Sequence, residues 1–283
     1  MNKVEIYYFS GTGNSLYVAK ELQEGIPGTT IIPILSILDN KLIKTDAETI
    51  GFVFPIYFGT IPSAVRKCIK KLNMDSAKYI FAIATYSNYA GLVKMRMDRL
   101  IKAKGRNLDQ FFELAMTINS PTGIMPKFIP GYQKNVNEWV HHISKENVIN
   151  VELESQKRIS QIQQAIIDKE KNQESISFKF YLKRFVSKLM DAVENSNAKI
   201  PYYSDETCSG CGICEKVCLS KKIKLVNEKP VWQKDTKCYY CYACFNFCPT
   251  QSILIKDKYN LKSGRYYHPQ ISADDIEGQK NHL

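Results

Sequence analysis

Acid is what this chain is short of. Against 39 lysines and arginines stand 28 aspartates and glutamates, giving a formal charge of +11 over 283 residues. It also lacks any apolar run near the ~20 residues that a bilayer-crossing helix requires, so membrane insertion is not expected. No export signal is legible, because Glu5 interrupts the first apolar stretch and a glycine turn follows at once. A cytoplasmic protein is the expectation. A Ser–His–Asp set, a catalytic carboxylate pair and a second nucleotide fingerprint are all missing, which leaves no candidate catalytic residue. His141, His142, His268 and His282 read as surface or packing residues.

Excess positive charge suits nucleic acid, a membrane surface or an acidic protein. The count, however, takes every cysteine as neutral. Eight thiolates holding two iron–sulfur clusters, with a phosphate-bearing cofactor beside them, would leave the chain much less basic. A nucleic-acid-binding reading rests on charge alone and predicts binding that falls steeply with salt. No nucleic-acid partner is expected.

What the chain has is cysteine in one place. Eight of its nine cysteines lie between Cys208 and Cys248. Without an export signal, metal binding is a better reading of them than disulfides. The ninth, Cys68, sits among helix-forming residues and reads as a buried, inert thiol.

The first part of the chain alternates apolar runs with helical patterns. Strands are expected at KVEIYYF, TTIIPIL, TIGFVFPIYF, KYIFAIATY and within NLDQFFELAMTIN. Helices are expected at NSLYVAKELQEGI, IPSAVRKCIKKL, YAGLVKMRMDRLIKAKG and VELESQKRISQIQQAIIDKEK. Strands apolar on both faces, alternating with helices, predict a parallel sheet covered on two sides. Such sheets bind ligands beyond the carboxyl ends of their strands, where Ser10–Ser15, Pro55–Thr60 and Thr85–Gly91 fall. Between Ser120 and Pro201 the pattern changes. A loop rich in proline leads to the last helix of the sheet, and SISFKFYLKRFVSKLMDAVEN follows as a basic amphipathic helix. Such a helix can lie on a membrane or pack between two domains with its basic face in water.

An internal repeat fills the rest. A shift of thirty places carries Cys208, Cys211, Cys214 and Cys218 onto Cys238, Cys241, Cys244 and Cys248, Ile223 onto Ile253 and Leu225 onto Ile255. Each half reads C-x2-C-x2-C-x3-C. Three cysteines at that spacing wrap three corners of a cubane, and the fourth completes the neighbouring cluster. One site is therefore predicted from Cys208, Cys211, Cys214 and Cys248, and another from Cys238, Cys241, Cys244 and Cys218. Zinc is the rival, but its sites pair two C-x2-C knuckles across a longer spacer. At these residues the segment resembles the bacterial two-cluster ferredoxins, including Cys248-Pro249; Leu219 stands where the first run would usually carry proline.

FSGTGNS, residues 9 to 15, closes the first strand. A P-loop would need lysine before its final hydroxyl, and the first lysine after the turn is Lys20. A Rossmann fingerprint would need a third glycine where Leu16 stands. What remains is a loop of hydroxyls and backbone N–H groups at a helix N-terminus, suited to one terminal phosphate. The loop, Ser10, Gly11, Thr12, Gly13, Asn14 and Ser15, resembles the flavodoxin phosphate loop. That resemblance runs over about the first 170 residues. It implies that two further loops sandwich a flavin ring, at Pro55, Ile56, Tyr57, Phe58 and Gly59 and at Thr85, Tyr86, Ser87, Asn88, Tyr89 and Gly91. The alternative is that Tyr57 and Tyr89 are ordinary core residues.

The whole chain resembles the flavodoxin–ferredoxin fusion family, and RYYHPQISADDI resembles that family's tail. The resemblance implies a flavodoxin-like, doubly wound five-stranded parallel α/β sheet, followed by a small α+β two-cluster ferredoxin domain. The expected organisation is an FMN-binding domain over 1–172, a connecting amphipathic helix over 173–200, and a 2[4Fe–4S] domain over 201–283. The implied function is an electron relay between FMN and two [4Fe–4S] clusters, serving redox partner proteins. A flavin-dependent reductase of a small molecule, fed through the clusters, is the alternative.

Overall fold

The computed structural model of the chain describes residues 3–87, 90, 92–119, 132–172, 200–256, 262 and 264–281. The expected connecting helix over 173–200 lies almost wholly outside them.

Five parallel strands form the first sheet: β1 (Val4–Tyr8), β2 (Thr29–Pro33), β3 (Thr49–Pro55), β4 (Tyr79–Tyr86) and β5 (Gln110–Ala115), in the order β2-β1-β3-β4-β5. All of β1 and β3, and β4 up to its last residue, are buried, which is why they read as unbroken apolar runs. β2 and β5 are edges, and polar residues interrupt them. Helix α1 (Asn14–Gly25) packs with α6 (Lys145–Ile167), while α3 (Ser63–Lys71) packs with α2 (Ile34–Ile37) and α4 (Val93–Lys102). Helix α5 (Tyr132–His142) precedes α6 and packs on it. One contact fixes the middle of the sheet. Gly51 pairs with Phe81 across β3 and β4, and the Phe81 ring fills the space that a side chain at Gly51 would need.

This strand order is the flavodoxin-like variety of the doubly wound fold. Strands β1 and β3 are neighbours, yet their connections leave in opposite directions. The loops that follow them part and leave a crevice at the carboxyl edge.

The second half is built from short pieces. β6 (Tyr202–Ser204) pairs antiparallel with β9 (Ile253–Ile255), and β7 (Ile223–Val226) forms a hairpin with β8 (Lys229–Trp232). The two residues between β7 and β8, Asn227 and Glu228, both have positive φ, 47° and 59°, as the tightest hairpin turn demands. Helical turns at Ile213–Lys216 and Ala243–Asn246 carry the middle of each cysteine run.

The last stretch does not stay with the second half. Residues 264–281 run back across the first sheet's carboxyl edge. Ser10 donates its N–H to Gln279 Oε1, and Gln279 Nε2 donates to the Ser10 carbonyl, both at 2.9 Å. His268 donates its N–H to the Thr12 carbonyl at 2.8 Å.

Candidate functional site: a two-walled cleft beside two cysteine cages

Loop residues 10–13 bend the chain from β1 into α1. Gly13 adopts φ 106°, a conformation that side chains resist, and a Cβ there would sit 2.8 Å from the Cβ of His268. Several of the loop's polar groups are engaged inside the protein. Asn14 donates to the Thr117 carbonyl at 3.0 Å and accepts from the Tyr266 hydroxyl at 2.9 Å. Ser15 shares a hydrogen bond of 2.8 Å with Thr85, tying the first loop to the third. Asn119 donates to the Thr12 hydroxyl oxygen. No partner occupies the backbone N–H groups of Thr12, Gly13, Asn14 and Ser15 among the described residues. Four donors at a helix start, with the dipole behind them, suit an anion without any cationic side chain.

The crevice is an open-mouthed cleft of about 130 Å³. The structure brings Ser10, Gly11, Thr12, Asn14, Ser15, Pro55, Ile56, Tyr57, Phe58, Thr85, Tyr86 and Ser87 to it. Gly13 and Gly59 stand behind the lining, and Asn88, Tyr89 and Gly91 lie outside the described residues. Sequence reasoning missed two groups. Thr117, Ile118 and Asn119 follow β5 at the same carboxyl edge, a position that could have drawn attention to them. Tyr240 and Tyr242 come from the second cysteine run and carried no such signal.

Tyr57 is both a core residue and a wall. It is buried, its ring stands edge-on to Phe9 at 6.3 Å, and its hydroxyl ends near Gly11. That buried hydroxyl and the Thr117 hydroxyl have no hydrogen-bond partner among the described residues. Polar hydroxyls and free N–H groups around this cleft fit a ligand with a phosphate end and a polar ring edge, as a flavin mononucleotide has.

The cysteines form two cages. Cys208, Cys211, Cys214 and Cys248 line a small cavity of about 20 Å³. Cys218, Cys238, Cys241 and Cys244 line another of about 20 Å³. Among the described residues no three metal-binding side chains are grouped as a single ion requires. Two sets of four thiols, each three from one run and one from the other, fit clusters better than single tetrahedral ions, whose sites pair two C-x2-C knuckles. Burial pushes the Cys214 thiol up to about 12 and holds those of Cys238, Cys241 and Cys244 above their ordinary value. Thiols so desolvated give up their protons only to a metal. Cys248 goes the other way. Burial works against its ionisation, but the Ser252 hydroxyl, the Ile253 N–H and the Thr250 hydroxyl hold it below the usual range. Cys68 is fully buried, with its thiol raised to about 12, and takes no part.

Cleft and cage meet at one point. A Cβ on Gly11 would lie 2.6 Å from the Cβ of Cys241 and 2.8 Å from its carbonyl oxygen. The phosphate-type loop and the second cysteine run are therefore in backbone contact.

A doubly wound sheet with a ligand cleft at its switch point, joined to a duplicated cysteine-cage domain, defines a class of redox protein. No family profile matches the chain. A ferredoxin of Methanothermococcus thermolithotrophicus is 30% identical over 54 residues, covering 18% of this chain and 90% of the ferredoxin. A polyferredoxin-like protein of Methanocaldococcus jannaschii is 33% identical over 78 residues, covering 23% of this chain. The chain spans about half the length of that relative, 46%. Among solved structures, the two-electron reduced flavodoxin of Megasphaera elsdenii is 18% identical, with 39% of this chain and 84% of that one covered and a TM-score of 0.30. Through its second half the chain belongs to the ferredoxin family, and that half follows a flavodoxin-like sheet in one polypeptide. The likeness to ferredoxins lies in the cysteine-rich second half of the chain. No described helix is long and apolar enough to cross a membrane.

Proposed function

We propose that the chain is an intramolecular electron relay between FMN in the cleft and two [4Fe–4S] clusters in the cages, serving redox partner proteins. The contact of Gly11 with Cys241 carries this reading, because it sets a residue of the phosphate-type loop directly against a residue of the near cage. A bound flavin supplies exchange of one or two electrons, and clusters supply single-electron steps. The loop N–H groups would hold the phosphate, and Thr85, Tyr57 and Phe58 would flank the ring. Cys218, Cys238, Cys241 and Cys244 would hold the near cluster, and Cys208, Cys211, Cys214 and Cys248 the far one. Cys211 is exposed, so the far cage reaches the surface, where a partner protein would exchange electrons. On this reading the FMN domain covers 1–172, a connecting segment 173–200 and the cluster domain 201–283, with the tail returned to the first.

Anaerobically purified protein should carry one FMN and about eight irons per chain, as two four-iron clusters require. A redox titration followed optically and by spin resonance should resolve three centres. Colourless protein containing zinc, or protein that takes up no flavin, would overturn the assignment. Cys248→Ala should damage the cluster anchored by Cys208 and spare the one anchored by Cys238; the reverse in the spin-resonance spectrum would refute the crossed ligation.

A further inference from the structure

The two cysteine runs are copies, and their backbones agree where their side chains do not. Gly210 (φ 71°) and Gly212 (φ 79°) in the first run correspond, thirty residues on, to Tyr240 (φ 57°) and Tyr242 (φ 56°). The left-handed conformation is natural for glycine and strained for tyrosine, whose Cβ crowds the following carbonyl oxygen. Glycine would satisfy the cysteine geometry at both places, as the first run demonstrates. Strain of this kind persists where function requires it. Both tyrosines line the flavin-type cleft, while the glycines of the first run line or border only their own cage. Phe58, which faces Tyr240 edge-on at 5.5 Å, is also left-handed, with φ 50°. Three strained aromatic residues from two separate halves therefore converge on one cleft.

Tyr240 has a second attachment. Its backbone N–H donates to the sulfur of Cys238 at 3.3 Å, and its neighbour in sequence is Cys241, the residue that meets Gly11. A single residue thus hydrogen-bonds a cage thiol through its backbone and walls the cleft through its ring. We infer that Tyr240 is a positioning residue for the flavin, an aromatic wall lent by the ferredoxin half, so that the flavin site is complete only when both halves are present. Tyr242 extends the same wall. The inference rests on the reading of the cleft as an FMN site, and it adds that the second half, rather than the flavodoxin-like half alone, sets the ring's surroundings.

The test compares full-length wild type with Tyr240→Gly, Tyr240→Phe and Tyr240→Trp. Tyr240→Gly restores the residue of the first run and keeps the backbone conformation. It should raise the FMN dissociation constant about tenfold and shift the flavin absorption spectrum and potential, with iron content unchanged. Tyr240→Phe should bind FMN as wild type does. Tyr240→Trp should alter the flavin spectrum and deepen quenching of its fluorescence, and it reads the wall even if the glycine variant folds poorly. Wild-type affinity and spectrum in both Tyr240→Gly and Tyr240→Trp would overturn the inference and leave the FMN reading standing. So would a Tyr240→Phe protein as weak as the glycine variant, since the ring would then not be the wall. Wild-type protein that binds no FMN would overturn both.

Discussion

Gly11 carries more than a turn. The sequence explains it as one of two glycines that free a loop to hold phosphate. The structure adds that its missing side chain lets Cys241, 230 positions later, touch the loop, with the Tyr57 hydroxyl closing the same spot. Gly11→Ala should therefore force the seam apart rather than empty either site. Overpacking of this kind costs about 1–3 kcal/mol. The expected outcome is protein with near-normal iron and FMN but slower electron exchange between flavin and clusters after flash photoreduction. Exchange at the wild-type rate, with both groups bound, would mean that the seam is not the route. Read alone, the sequence disclosed Gly11 because local chemistry chose it, whereas its partner was set by how two halves dock, which no short pattern encodes. Tyr240 was hidden for the same reason. A tyrosine beside a cysteine reads as shelter for a cluster, and only its φ and the cleft behind it reveal a second use.

At the level of elements, the five strands and the two cysteine runs were legible because period and spacing belong to contiguous residues. Buried strands announce themselves as apolar runs, and their alternation with helices fixes the parallel sheet. The wall formed by Thr117, Ile118 and Asn119 was not legible, since it depends on β5 lying at the same edge as the other loops rather than on any motif. Strand β3 shows how tightly that sheet is built. Gly51 would weaken a strand by its propensity, yet the fully buried Phe81 ring from β4 occupies its side-chain space. Phe81 has nowhere to retreat, so Gly51→Ala should lower unfolding free energy by about 1–3 kcal/mol. The double variant Gly51→Ala with Phe81→Leu should recover part of that loss, because a smaller side chain gives the new methyl room. Urea unfolding checks both, and a single variant as stable as wild type would show that the ring moves freely.

Across the whole molecule, the tail joins what the repeat and the sheet would leave as two bodies. Arg265 donates to the carbonyls of Gln251 and Ile253 in the second half, Tyr266 donates its N–H to Asn246 and its hydroxyl to Asn14, and Lys20 pairs with Asp275 at 2.7 Å. In the middle lies His268, 1% exposed and stacked on Tyr17 at 4.0 Å. Its Nδ1 accepts from the Gln270 N–H, which leaves the neutral ring's proton on Nε2, and the Glu152 carboxylate, its own pKa raised by burial, stands 3.9 Å from that nitrogen. Burial pushes its pKa down to about 4 from the ordinary 6.5. A base that is harder to protonate when folded contributes stability in full above its unfolded pKa, and that contribution drains away as pH falls from about 6.5 toward 4. Between pH 7 and pH 5 the loss should approach about 2 kcal/mol, at ~1.4 kcal/mol for each unit below 6.5. His268→Phe keeps an aromatic ring on Tyr17 and removes the titration. The difference in unfolding free energy between wild type and this variant should therefore shrink by up to that amount on going from pH 7 to pH 5, and a Glu152→Gln background, which removes the carboxylate facing Nε2, should bring it nearer the full amount. Cleavage of the tail by a protease should rise over the same range in wild type only. A difference that stays constant with pH would mean that the imidazole is reached by water, and that the tail is held by its other bonds alone.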